Sequence, residues 1–122
     1  MHMEDENLAY SAPGHLAKVM DRMPELVFIA AHFGGCCRWN EAQEHLFGRK
    51  NLYIDTSSCF HKITCAEGRN MIRQHGADKV LFATACPMNR AAKAIEEVFK
   101  MELTEEENEL IFHKNAEKRL GL

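Results

Sequence analysis

An α/β fold with parallel strands is predicted from three observations. Short apolar runs of strand length alternate with segments of helical periodicity, the helical segments carry their own start signals, and the runs end at small or turn-forming residues. Strands that alternate with helices pair in parallel through right-handed crossovers. The chain has 122 residues, 46% of them hydrophobic and 27% charged, with a net charge of -3. These values describe a globular chain with one domain over residues 1–122. The mild negative charge and the lack of a Lys/Arg cluster argue against a nucleic-acid partner. The longest apolar run, Leu26 to Ala31, is far short of the roughly 20 residues a membrane span requires. The N-terminus is acidic and lacks the apolar core of a signal peptide, so a cytoplasmic location is expected. Five cysteines at irregular spacing fit reduced thiols better than a disulfide framework.

The elements follow in order. Ser11 is the expected N-cap of a first helix with Pro13 in its first turn. Leu16, Val19, Met20 and Met23 form its apolar face, and Pro24 ends it. Leu26 to Ala31 is the first strand; its continuous apolar character predicts a strand covered on both faces. It runs into His32-Phe33-Gly34-Gly35, a turn. A helix is predicted over 40–47, stopped by Gly48. Asn51 to Ser57 is the second strand. Thr64 and Glu67 have capping-box spacing at the start of a helix closed by His75 and Gly76. Lys79 to Thr84 is the third strand. Asn89 is the expected cap of a helix whose inner face is Ala91, Ala94, Ile95 and Val98. Thr104 and Glu107 form a second capping box, opening a last helix with Leu110 and Ile111 facing inward. Parallel strands bring His32, Thr56 to Ser58 and Thr84 to Met88 to one end of the sheet, the end that carries function in open α/β sheets and in barrels.

Four blocks of the sequence resemble the amidohydrolase-related family, metal-dependent hydrolases whose branches include enzymes of the aminocarboxymuconate-semialdehyde decarboxylase type. The segment from Ser11 to Gly35 is similar to the region around the family's sixth strand. Asn51-Leu-Tyr-Ile-Asp-Thr-Ser-Ser58 is similar to the seventh, and Gly76 to Met88 to the eighth. Leu103 to Glu107 with Asn115 to Leu122 resembles the closing helix. The resemblance implies a partial (β/α)₈ barrel, the C-terminal half with about three strands, and a divalent metal, zinc or manganese, at its mouth. It implies a hydrolase or carbon–carbon lyase that turns over a small molecule through a metal-bound water. In that family the ligands are a His-x-His pair on the first strand, a His ending the fifth and an Asp ending the eighth.

Carried over by resemblance, His32 is the catalytic histidine and His2 the fifth-strand metal ligand. The first-strand pair has no counterpart in a chain expected to start near the fifth strand, and the eighth-strand Asp falls at Ala85. Alanine can neither bind the ion nor accept a proton from its water. A catalytic zinc needs three protein ligands and an open position, so the chain alone is expected to be inactive. The alternative is a non-catalytic module that pairs with a missing barrel half or with a second copy. Asp55 reads either as a contact at the mouth or as a carboxylate satisfied by nearby backbone and hydroxyls. The hydroxyls of Thr56, Ser57 and Ser58 read as carboxylate binders or as loop caps. The thiols, with Cys59-x-His61 and a Cys86 that would need His32 as its base, lack the paired spacing of a zinc module.

Overall fold

The computed structural model describes residues 9–122. Three strands, β1 (Phe28–Ala30), β2 (Leu52–Asp55) and β3 (Val80–Leu81), form one parallel sheet in the order β1-β2-β3. Phe28, Ile29 and Ala30 lie beside Leu52, Tyr53 and Ile54, while Ile54 and Asp55 lie beside Val80 and Leu81. Among the described residues six α-helices precede, connect and follow them: α1 (Pro13–Arg22), α2 (Trp39–His45), α3 (Cys65–His75), α4 (Ala91–Phe99), α5 (Glu105–Glu109) and α6 (Asn115–Leu120).

The register puts Ala30, Leu52, Ile54 and Val80 on one face, fully buried against Leu16 and Met20 of α1, Ala42 of α2, Leu46, Met71 and Ile72 of α3, Val98 of α4, and Ile111. The opposite face is not covered in the same way. Ile29 is 41% exposed, and Leu26 and Val27 beside it are about as open. The expectation of a strand buried on both sides is therefore corrected. An apolar run records that water is unfavourable on both faces, but the helices among the described residues occupy one.

Helix starts are where local sequence and structure agree best. Thr64 Oγ1 accepts from Glu67 N at 3.2 Å while Glu67 Oε2 accepts from Thr64 N at 2.8 Å, and Thr104 with Glu107 repeats the arrangement at 3.1 and 2.8 Å. These boxes satisfy donors that a helix leaves without intrahelical partners. Two expected caps are corrected. α1 is entered from Ala12, not Ser11, without a side-chain cap. One of its first N–H groups, that of Gly14, instead donates to Glu41 Oε1 on α2 at 3.0 Å, which draws the Glu41 pKa down. α4 is entered from Arg90, again without a side-chain cap, and the Asn89 amide points away to Ser58 Oγ at 3.3 Å.

β3 is shorter than the predicted 79–84 because its backbone finds other partners past Leu81. The Phe82 N–H donates at 2.9 Å to the carbonyl of Ile111, inside a π-helical turn (Leu110–Lys114) between α5 and α6. Ala83 pairs through both its N–H and its carbonyl with the Thr56 hydroxyl, at 3.0 and 2.9 Å. Asn115, buried at the start of α6, donates to the carbonyls of Ala77 and Val80 at 2.7 and 2.8 Å. The C-terminal helix is thus stitched to β3 by polar bonds as well as by apolar packing.

His75 plays a similar part at the other end of the sheet. Its Nδ1 accepts from Gly48 N at 3.2 Å and its Nε2 donates to Leu52 O at 3.1 Å. Burial pushes its pKa from 6.5 down to about 4. The native chain therefore holds the neutral ring, while the unfolded chain takes up a proton from about pH 6.5 downward. Stability from this group is whole above that pH and declines between 6.5 and about 4. Urea midpoints measured across that window are expected to fall with pH, and His75→Gln should flatten the fall. Asn115→Leu leaves the two carbonyls without their donor, and a loss of roughly 1–3 kcal/mol is expected by the same measurement.

Candidate active site

The C-terminal ends of β1 and β2 meet at one carboxylate. Asp55 closes β2, and its Oδ1 accepts from the backbone N–H of His32 at 3.1 Å, from the N–H of Ser57 at 2.9 Å and from the Ser57 hydroxyl. Next to it the His32 ring, 2% exposed, places Nδ1 2.8 Å from the Ser57 carbonyl and 3.0 Å from Ser57 Oγ. A carbonyl can only accept, so Nδ1 carries the proton. In the neutral ring the lone pair then sits on Nε2, the atom able to take a proton or bind a metal. The Trp39 indole N–H donates to the His32 carbonyl at 3.0 Å and fixes the other side of the residue.

The backbone here is strained. His32 and Phe33 have φ of 58° and 52°, where side chains are disfavoured, and Gly34 follows at 78°. Such residues cost of order 1–3 kcal/mol each and persist where the surroundings over-determine them. Three of the bonds just described do that for His32. The paired glycines have distinct reasons. Gly34 takes a left-handed conformation, and a side chain on Gly35 would meet Pro13 of α1 at 2.8 Å.

The residues expected at one end of the sheet thus divide into two groups. His32, Asp55 and Ser57 converge. Ser58, Thr84 and Asn89 turn instead into a neighbouring cavity of about 100 Å³, together with His61, Lys93 and Glu97. The Cys59 thiol is buried and donates to the Ser57 carbonyl at 2.9 Å, supporting the histidine turn from beneath, whereas His61 is exposed. Cys59 and His61 both line that cavity, but the Cys59 thiol is committed to the Ser57 carbonyl. Among the described residues no hydrogen bond joins the exposed Cys86 to His32. Ser57 and Trp39 are the partners that sequence reasoning undervalued. Ser57 was one of three hydroxyls at a strand end, and Trp39 carried no signal.

The metal expected from the resemblance is not matched by these donors. No group of three or more His, Cys, Asp or Glu side chains among the described residues converges as an ion would require. Ala85 presents a methyl group where the eighth-strand carboxylate was expected. Asp55 turns its Oδ1 to three protein donors. His2, the expected fifth-strand ligand, lies outside the described residues.

Comparison with known proteins gives the fold and the family. The family model described as Amidohydrolase matches residues 1–122. An uncharacterised TIM-barrel protein from Bordetella bronchiseptica superposes with a TM-score of 0.79 at 23% identity, over 99% of this chain and 44% of that one. A putative amidohydrolase from Staphylococcus aureus gives 0.63 at 26% identity, over 85% and 37%. A dihydroxybenzoic acid decarboxylase from Polaromonas, solved with bound manganese and the inhibitor 2-nitroresorcinol, gives 0.67 at 20% identity, over 87% and 37%. No curated protein matches by sequence. The three strands and their helices are therefore part of a (β/α)₈ barrel, and the chain spans less than half the length of each of these three structures.

The geometry at His32 is open to direct measurement. In nitrogen-15 spectra at neutral pH, His32 is expected as the Nδ1-protonated tautomer. Asp55→Asn should leave the fold in place yet speed hydrogen exchange at the His32 amide, with a stability loss of roughly 1–3 kcal/mol.

Proposed function

This chain belongs to the amidohydrolase family, and on that premise we propose that it is the C-terminal half of a metal-dependent hydrolase or decarboxylase barrel. Residues 1–122 act as one unit, inactive alone, on a small-molecule substrate once completed. The carrying observation is the held His32 ring, its Nδ1 proton committed to Ser57 so that the lone pair of the neutral ring lies on Nε2. In the family a divalent ion activates water at this end of the barrel. The described donors of this chain do not make up such a site, so the activating centre requires groups from beyond them. His2 is its proposed contribution to the ion, and the His-x-His pair comes from the barrel half that the chain does not span. His32 then serves as an acid or base beside the reacting atoms, and Asp55 and Ser57 set its tautomer and direction. The manganese bound to the Polaromonas decarboxylase supports the choice of a divalent ion.

One further observation favours assembly. Ile29 on the uncovered face of the sheet is 41% exposed, and Leu26 and Val27, just before the strand, are apolar and about as open. In a closed barrel that face is the interior, filled by side chains of the remaining strands. A second copy or a separate first half would bury it.

The test is metal titration and turnover of simple esters, lactones and β-keto acids by the purified chain, with zinc and with manganese. Neither stoichiometric metal binding nor turnover is expected from the chain alone. Supplied with a first barrel half that carries a His-x-His pair, it should gain both, and His32→Ala should then remove turnover while metal stays bound. Turnover by the isolated chain that His32→Ala abolishes would overturn the reading.

A further inference from the structure

Past the histidine turn lie two adjacent cysteines that the proposed chemistry leaves unused. Their sulfurs are 3.4 Å apart. Cys36 is buried at 4% exposure and Cys37 is exposed. Lys62, from the loop after β2, places Nζ 2.9 Å from the Cys37 sulfur. Cys37 also has a left-handed backbone, φ 62°. So an outer thiol lies at the surface with an ammonium beside it, and an inner thiol lies within van der Waals reach. Lys62 Nζ thus stands within hydrogen-bond reach of the solvent-facing sulfur, where it can stabilise negative charge that develops at the reacting atoms.

We propose that Cys36 and Cys37 form a two-thiol modification site that takes a hydroperoxide, with Cys37 as the attacking sulfur and Cys36 as the resolving one. The Cys37 sulfur attacks the terminal peroxide oxygen as its thiol gives up a proton. An S–O bond forms, the O–O bond breaks, and the departing alkoxide takes up the proton the thiol released, giving an alcohol and a sulfenic acid. The Cys36 sulfur then attacks the sulfenic sulfur. An S–S bond forms, the S–O bond breaks, and hydroxide leaves with the Cys36 proton as water. Two thiols are oxidised by two electrons, and the hydroperoxide is reduced to alcohol and water.

The product is a labile bond. Adjacent Cα atoms are about 3.8 Å apart across a trans peptide, below the ~4.4–6.8 Å usual between disulfide partners. Strain of this kind makes a disulfide easier to reduce. The ring also closes between His32 and Trp39, whose indole holds the His32 carbonyl, so oxidation should be felt at His32.

The experiment treats the full chain with stoichiometric hydrogen peroxide and maps the products by mass spectrometry. The expected product is a loss of two hydrogens in the tryptic peptide Met23–Arg38, reversed by dithiothreitol, with a changed His32 signal in nitrogen-15 spectra. Lys62→Met, a surface change, should slow the reaction roughly tenfold. Cys36→Ser should convert the product to a sulfenic acid at Cys37 that dimedone traps. The proposal is overturned if Cys65 or Cys86 oxidises first, if Lys62→Met leaves the rate unchanged, or if the native pair stops at sulfenic acid without closing.

Discussion

The C-terminal ends of β1 and β2 are tied together through the Asp55 carboxylate. One of its oxygens takes three donors from two chain segments, the His32 N–H and the N–H and hydroxyl of Ser57. A buried or half-buried carboxylate is costly without such partners, and the donors are equally costly without it. The result is mutual. Asp55 is held at the end of β2, and the turn after β1 is tied to it although its backbone is unfavourable at two successive residues. The imidazole takes its orientation and tautomer from Ser57, which the same carboxylate holds. A side chain the sequence presents as a strand residue therefore works as the clasp between two loops.

The clasp can do this because the ladder delivers the strand ends together. Parallel pairing of β1 with β2 and of β2 with β3 points the three C-termini the same way, which is the rule that places barrel active sites at one rim. The ladder is itself kept short and well aimed by side chains. The Thr56 hydroxyl takes the place of a backbone pair to Ala83, and the π-helical turn gives up the Ile111 carbonyl to Phe82. π-Bulges often mark places where a helix has been adapted to a particular local task. Here the task is to terminate a sheet pairing and release the chain toward Ala85 and the cavity beside it. The bidentate contact of Arg73 on α3 with Glu107 on α5, at 3.0 and 3.1 Å, holds the same helix from outside and keeps the Glu107 carboxyl below its usual range.

The family's chemistry and this chain's donors differ in an instructive way. A metal site is a convergence of several charged or imidazole groups, drawn in this family from several strand ends. The described residues bring an oriented histidine, and no three metal-ligating side chains among them converge. The orienting parts are local to two neighbouring strands, so they are complete here. The uncovered face of β1 has the same origin: its strand was built for an enclosure that helices on one side do not supply.

Much of the architecture was legible along the chain, because its causes are local. Alternating helix and strand periods determined the α/β class and the parallel sheet, and the Thr64–Glu67 and Thr104–Glu107 spacings placed two helix starts correctly. Family membership was legible from matching blocks of sequence, and the family model over residues 1–122 agrees with it. What the tertiary structure alone decided are contacts between residues far apart in sequence. These include the Gly14 cap lent by Glu41, the histidine tautomer set by Ser57 and the buried amide of Asn115 across β3. They also include the Lys62 ammonium brought to Cys37 and the openness of one sheet face. Each depends on which side of an element meets which neighbour, and periodicity reports that a side is apolar without naming what will cover it.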